Sequence, residues 1–186
     1  MDVLTFMTAE DLMKLSGRYE LLKGVICEMS PPGEKHGVTA SKIGYIIGKY
    51  VYENKLGVTT AAETGYKLSS NPDTVRAPDL AFKSNERIAR GGISEGYSTV
   101  MPELVVEVNS PQDSYGKVLK KVNEWFSSGV MCVMVVDPYE KNVIVYKSPE
   151  HYRIFEYKDL LSAEEILPGF TCRVSEIFEI YHNFPV

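Results

Sequence analysis

The spacing of apolar residues changes several times along the chain, and each change predicts a different element. Between residues 35 and 55, apolar side chains recur at helical spacing, and Gly57 follows as a stop signal. A second helix is predicted from a cap at Asp113 or Ser114 to about Ser128. Each helix carries one apolar face, which is typical of a helix that packs on a sheet.

Apolar runs without helical spacing predict strands. Residues 18–22 and 25–29 flank Lys23-Gly24 and predict an N-terminal β-hairpin. Residues 130–136 are apolar at consecutive positions, which indicates a strand covered on both faces. The other predicted elements are strands at 58–67, 76–82, 104–108, 142–146 and 152–157, and short helices from the Thr8 cap to near Gly17 and at 175–180. This order predicts one α/β domain over residues 1–186, with a mixed central β-sheet flanked by helices.

Two carboxylates interrupt strands that are otherwise apolar. Asp79 follows Pro78 in the predicted strand 76–82, and Glu107 lies within 104–108. A buried carboxylate costs several kcal/mol unless it is paired, protonated or bound to a cation. On neighbouring strands, the two acids would converge on one divalent metal ion.

Phosphodiester hydrolysis needs an activated water and a neutralised anionic transition state. Mg²⁺ or Mn²⁺ supplies both, and two carboxylates with a backbone carbonyl, here that of Val108, can hold the ion. A lysine can orient the water and offset charge on the phosphate. Lys121 is the predicted lysine because it stands beside the apolar stripe of its helix, and Lys117, one turn earlier, is the alternative.

Two further residues are candidates for the functional site, and each also has an interpretation without a role in function. Glu20 lies among apolar residues and would complete the metal shell, or it faces solvent on the hairpin. His36 begins the long helix and would contact a phosphate or shuttle a proton, or it is an ordinary surface residue. Glu107 itself has the alternative of a structural pair with a lysine.

Composition narrows the class of protein. The chain has 186 residues, 44% of them hydrophobic, and a net charge of −5, which argues against nucleic-acid binding by charge alone but not against acidic metal ligands. The sequence shows no secretory signal or membrane span. Its three cysteines form no CxxC pair; Cys27 and Cys132 are predicted to be buried thiols, which fits the cytoplasm.

Several segments together resemble the PD-(D/E)XK nuclease superfamily. Within it, the chain is similar to a large bacterial family described as restriction endonucleases and first known as a domain of unknown function. The matching segments are 18–24, 29–32 with His36-Gly37, 76–79, 103–111, Lys121 with Trp125 and Gly129-Val130, 135–138, and 167–170. Each is short, but they occur in order over about 150 residues.

The resemblance implies a restriction-endonuclease-like core in which Asp79 and Glu107 bind metal and Glu20 is a possible further acid. The D/E-x-K motif would place its lysine two residues after Glu107, where this chain has Asn109. In the family that the chain resembles, the lysine lies on the following helix, which matches Lys121.

Three functions are consistent with these residues. The first is a Mg²⁺- or Mn²⁺-dependent DNA endonuclease, for which a homodimer is plausible because cutting both strands favours two-fold symmetry. The second is a non-catalytic member that binds nucleic acid or a protein, suggested by Asn109 and the acidic charge. The third is a hydrolase that uses the two acids on a glycan, which the lack of clustered aromatic residues disfavours.

Overall fold

A computed structural model describes residues 6–179. The helices are α1 (Ala9–Leu12), α2 (Glu34–Glu53), α3 (Asn85–Gly91), α4 (Tyr115–Ser128) and α5 (Val174–Phe178). The strands are β1 (Tyr19–Leu22), β2 (Val25–Glu28), β3 (Gly57–Ala61), β4 (Tyr66–Ser69), β5 (Thr74–Arg76), β6 (Leu80–Ser84), β7 (Leu104–Val108), β8 (Cys132–Asp137), β9 (Asn142–Ser148), β10 (His151–Phe155), β11 (Leu160–Ser162) and β12 (Thr171–Arg173).

The central sheet has six strands in the order β10-β9-β8-β7-β6-β3. Strands β7 and β8 are parallel, and every other neighbouring pair is antiparallel. Parallel neighbours need a crossover connection, and α4 provides it between β7 and β8. The predicted mixed sheet flanked by helices is therefore confirmed.

Both faces of this sheet are covered, which explains why β7 is apolar except for Glu107 and β8 is apolar up to its last residue, Asp137. One face packs against α2 and α5, and it receives Leu104, Val106 and Val108 of β7. The other face packs against α4 and receives Val105. Because side chains alternate along a strand, Glu107 points to the α4 side with Val105.

A second sheet lies at the N-terminal side, in the order β2-β1-β5-β4. The predicted hairpin is confirmed, and its turn residues Lys23 and Gly24 have φ of 51° and 77°, the positive values that favour a tight β-hairpin. Helix α1 packs over this sheet, where Asp73 accepts hydrogen bonds from the Ala9 amide and the Lys67 ammonium, both at 2.8 Å.

Three sequence predictions need correction near these elements. Helix α1 has the predicted Thr8 cap but ends at Leu12, before Gly17. The predicted strand 58–67 is two strands in different sheets, because a turn with Glu63 at φ 71° separates β3 from β4. The small β11–β12 sheet was not predicted, and Ile180, the predicted end of the last helix, lies outside the described residues.

The predicted strand 76–82 is also broken, between Arg76 and Leu80. Pro78 lies at the break and has no amide N–H to donate to a ladder, so the strand cannot run through it. Asp79 therefore precedes β6 rather than lying inside a strand, at a point where the chain passes from one sheet to the other.

Within residues 6–179, no helix combines the length and the hydropathy that crossing a membrane requires.

The cysteines differ from one another in exposure. Cys132 and Cys172 are buried, and burial raises the pKa of both thiols to about 12. Cys27 is only half-buried, because β2 is the edge strand of its sheet, so the prediction that it is buried was wrong.

We therefore expect iodoacetamide at pH 8 to alkylate Cys27 in the native protein, and to leave Cys132 and Cys172 unmodified, because the thiolate is the reactive form. Mass spectrometry of the digested protein reads the modification at each position. Labelling in denaturant is the control, in which all three should react. Rapid labelling of Cys132 under native conditions would contradict the packing described here.

Candidate active site at the ends of β6 and β7

The site is built where the chain enters β6. The Asp79 amide donates to the Val106 carbonyl at 3.1 Å, so backbone pairing with β7 begins at this residue. Leu80 pairs with Val106 in the antiparallel register, and just before it Asp79 Oδ2 accepts a hydrogen bond from the Val108 amide at 2.7 Å. The structure thus holds Asp79 against the β7 backbone around Glu107, close enough for its charge to raise the pKa of the Glu107 carboxyl.

Glu107 is buried, and both of its carboxylate oxygens accept hydrogen bonds from α4. Trp125 Nε1 donates to Oε1 at 2.8 Å, and Lys121 Nζ donates to Oε2 at 3.0 Å. Burial is the main cause that raises the pKa of the Glu107 carboxyl, and the charge of Asp79 raises it further; Lys121 and the Trp125 hydrogen bond oppose this rise.

Helix α4 sets the position of Lys121. Its first turn is capped by the Ser114 hydroxyl, which accepts a hydrogen bond from an amide of the helix. Lys121 and Trp125 are four residues apart and so lie on the same helix face, which allows both to reach one carboxylate. The negative charge of Glu107 is the main cause that raises the pKa of Lys121. Lys117, the alternative lysine, is exposed on the same helix.

His36, in the first turn of α2, lies beside the first acid. Its Nε2 is 3.3 Å from Asp79 Oδ2, the oxygen that also accepts a 2.7 Å hydrogen bond from the Val108 amide. The hydrogen bond with Asp79 is the main cause that raises the pKa of His36, against the effect of burial. No group in residues 6–179 pairs with its buried Nδ1.

Glu20 is held in a separate ion pair next to this group. Arg76 Nη1 is 2.5 Å from Glu20 Oε2, and the Ala77 amide donates to Oε1 at 3.3 Å. The Glu20 side chain is only 6% exposed, so the alternative of a solvent-facing residue was wrong. Its role as a metal ligand stays a prediction.

Sequence reasoning missed the polar contacts of two residues, Arg76 and Trp125. Arg76 was noted only as part of a motif, yet its Nε also donates to Glu124 Oε2 at 2.8 Å. It thus connects β5 of the N-terminal sheet to α4, the helix that packs on the central sheet. Trp125 was likewise named only in a matching segment, and its hydrogen bond to Glu107 was not predicted. The one available signal was spacing, since Trp125 follows Lys121 by four residues on the same helix.

Asn109 does not substitute for the lysine of the D/E-x-K motif. Its amide nitrogen donates to Asp137 Oδ2 at 3.0 Å, and Asp137 Oδ1 accepts the amides of Tyr139 and Glu140. Asn109 therefore stabilises the turn between β8 and β9.

The donor set fits a hard divalent cation. Asp79, Glu107 and the Val108 carbonyl offer oxygen ligands, the type that Mg²⁺ and Mn²⁺ prefer. Among residues 6–179, no three His, Cys, Asp or Glu side chains are grouped to surround an ion, so water or phosphate oxygens would complete the shell. Asp79 Oδ1 is open to a ligand in the sense that no described residue donates to it.

Comparison with solved structures agrees with this architecture. The chain aligns with a crystal structure described as "a putative nuclease belonging to DUF820" from Anabaena variabilis, with a TM-score of 0.79 and 22% sequence identity, over 93% of this chain and 98% of that one. The fold is thus a nuclease-like α/β fold, with a mixed sheet flanked by helices.

The family follows from the sequence match. A model described as "Uma2: Putative restriction endonuclease" matches residues 8–175, and the chain belongs to this family. A search of curated proteins found no match. Membership supports a nuclease-type hydrolase with a nucleic-acid substrate.

We expect Lys121→Met to lower the free energy of unfolding by about 3 kcal/mol, because it leaves the buried Glu107 carboxylate without its countercharge. The double variant Lys121→Met/Glu107→Gln should recover most of this loss. Urea unfolding of the purified variants measures both. Lys117→Met removes the same charge from an exposed position of α4 and should change stability by no more than about 0.5 kcal/mol. Equal effects of the two lysine substitutions would contradict the role of the Glu107–Lys121 pair.

Proposed function

We propose that this protein is an endonuclease that hydrolyses DNA phosphodiester bonds with Mg²⁺ or Mn²⁺. The observation that carries the proposal is the buried Glu107 carboxylate, bonded to Lys121, with Asp79 held against the same strand by the Val108 amide. A structural ion pair gains nothing from a second carboxylate beside it, since like charges repel. A divalent cation bound by both acids would neutralise their repulsion, which explains why two carboxylates are kept near each other.

In this proposal, Asp79, Glu107 and the Val108 carbonyl would hold the ion, with Glu20 as a possible further acid. A bound divalent cation supplies the charge that activates water and neutralises the phosphate. The Lys121 ammonium, whose side chain is 27% exposed, would orient the water and offset charge that develops on the phosphate.

Two other side chains are proposed to contact the substrate. His36 lines the open cleft next to Asp79 and would donate a hydrogen bond to a phosphate oxygen. Lys117 is exposed one turn before Lys121 and would contact the strand beyond the cleft. A homodimer with a two-fold axis would present two such sites to opposite strands of a duplex.

The second candidate function is binding of nucleic acid without cleavage. It is favoured by the hydrogen bonds that already occupy both Glu107 oxygens, and by the structural role of Asn109 at the motif's lysine position. Cleavage and metal binding separate the two candidates.

We expect isothermal titration calorimetry to show Mn²⁺ and Mg²⁺ binding to the wild type, and no binding to Asp79→Ala. The same substitution should abolish cleavage of supercoiled plasmid DNA. Lys121→Gln should keep metal binding but reduce the cleavage rate by roughly 10²–10³-fold, because a charge aimed at the transition state is lost.

The controls are Asp159→Ala, which removes a carboxylate remote from the site, and Lys120→Gln, which removes an exposed ammonium from the same helix. Circular dichroism establishes that each variant is folded. Cleavage that persists in Asp79→Ala would sink the endonuclease proposal. Metal binding and DNA binding without any cleavage by the wild type would favour the second candidate.

A further inference from the structure

The open space next to Asp79 consists of two adjoining cavities of about 560 Å³ and 170 Å³. The walls of both include Arg18, Ala62, Glu63 and Asp79. A substrate strand that reaches Asp79 through either cavity must therefore pass these residues. Another large cavity, of about 510 Å³, lies against β10 and includes none of the candidate site residues.

An ion pair lies at the junction of the two cavities. Arg18, just before β1, places its Nε 2.7 Å from Oε1 of Glu63, which lies in the turn between β3 and β4. The pair thus joins the N-terminal sheet to the edge strand of the central sheet. Both side chains retain solvent contact, at 36% and 62% exposure.

The charges around the cavities distinguish Arg18 from the other cations there. Arg76 is buried and bound by two carboxylates, and His36 is bonded to Asp79. Arg18 has one partner, which is itself mostly exposed. A solvent-exposed pair of this kind contributes little net stability, so Glu63 can be exchanged for another anion at low cost.

The guanidinium of Arg18 suits a phosphate. Its planar fork of donors matches phosphate oxygens, and it stays charged at every physiological pH. Glu63 is less suited to its own position, because a non-glycine residue at φ 71° lies in the left-handed region. The turn therefore carries a glutamate where glycine or asparagine would fit the backbone better, and its carboxylate is bound to Arg18.

We propose that Arg18 binds a backbone phosphate next to the scissile one, and that Glu63 occupies Arg18 until the substrate displaces it. Glu63 is thus an internal competitor that weakens the binding of any polyanion. This inference rests on the proposed function, since it names a substrate contact of the same site. It assigns opposite roles to the two members of one ion pair.

The opposite roles can be tested by substituting each member alone. Both Arg18→Gln and Glu63→Gln break the pair, so a purely structural pair would give both variants the same effect. Binding of short fluorescein-labelled single-stranded and duplex DNA is measured by anisotropy in an Asp79→Asn background, in which no cleavage is expected. The salt concentration is varied for each variant.

Arg18→Gln should weaken binding by about threefold to tenfold, and should reduce the slope of log K against log salt concentration by about 1, the loss of one phosphate contact. Glu63→Gln should tighten binding by about twofold to fivefold without reducing that slope. Arg90→Gln and Glu86→Gln, in an exposed pair on α3, make the same charge changes away from the cavities and should leave the slope unchanged.

Each outcome decides between proposals. If both variants change the affinity in the same direction, or if Arg18→Gln leaves the salt slope unchanged, the proposed role of Arg18 and Glu63 fails. The proposed endonuclease function is not affected by that result. If wild-type protein cleaves no DNA and the Asp79→Asn protein binds neither form, the proposed function itself fails. If Arg90→Gln and Glu86→Gln change the DNA affinity as much as Arg18→Gln and Glu63→Gln do, the effect is due to net charge alone and the proposal fails.

Discussion

A carboxylate taken out of water must be compensated, and much of this structure is organised around that requirement at Glu107. Its burial raises its pKa, and Lys121 and Trp125 of α4 supply the compensating donors. Those contacts fix how α4 lies on the sheet. The same requirement recurs beside it, where Arg76 is held between Glu20 and Glu124 and links the N-terminal sheet to the same helix. The fold and the candidate site are therefore stabilised by one connected set of charges.

The break at Pro78 gives the site its position. A proline cannot donate in a ladder, so the chain leaves one sheet before it and joins the other after it. Asp79 is the first residue beyond the break, where its amide already pairs with β7 while its side chain still borders the open cavities. The next residue, Leu80, already lies inside β6, and the preceding residue is Pro78 itself.

The elements with strong local patterns could be predicted from the sequence. The helical periodicity of α2, the hairpin turn at Lys23-Gly24 and the continuous apolar run of β8 each depend on a few neighbouring residues. The break between β3 and β4 and the pairing of β1 with β5 depend on contacts between distant segments, which leave no periodic signal. Candidate site residues were identified by residue type and order, but Arg76 and Trp125 acquire their polar partners only when separate elements pack together.

Asn109 has a consequence for how such proteins are recognised and redesigned. In the D/E-x-K arrangement, acid and lysine share one strand, so a short pattern of letters describes them and a short graft could transplant them. Here Glu107 is paired with an ammonium from helix α4, and the residue two positions after it, Asn109, bonds to Asp137 at the end of β8. A pattern search limited to β7 would overlook this chain. A designer who wished to move the constellation to another scaffold would have to carry α4 and its docking angle with it.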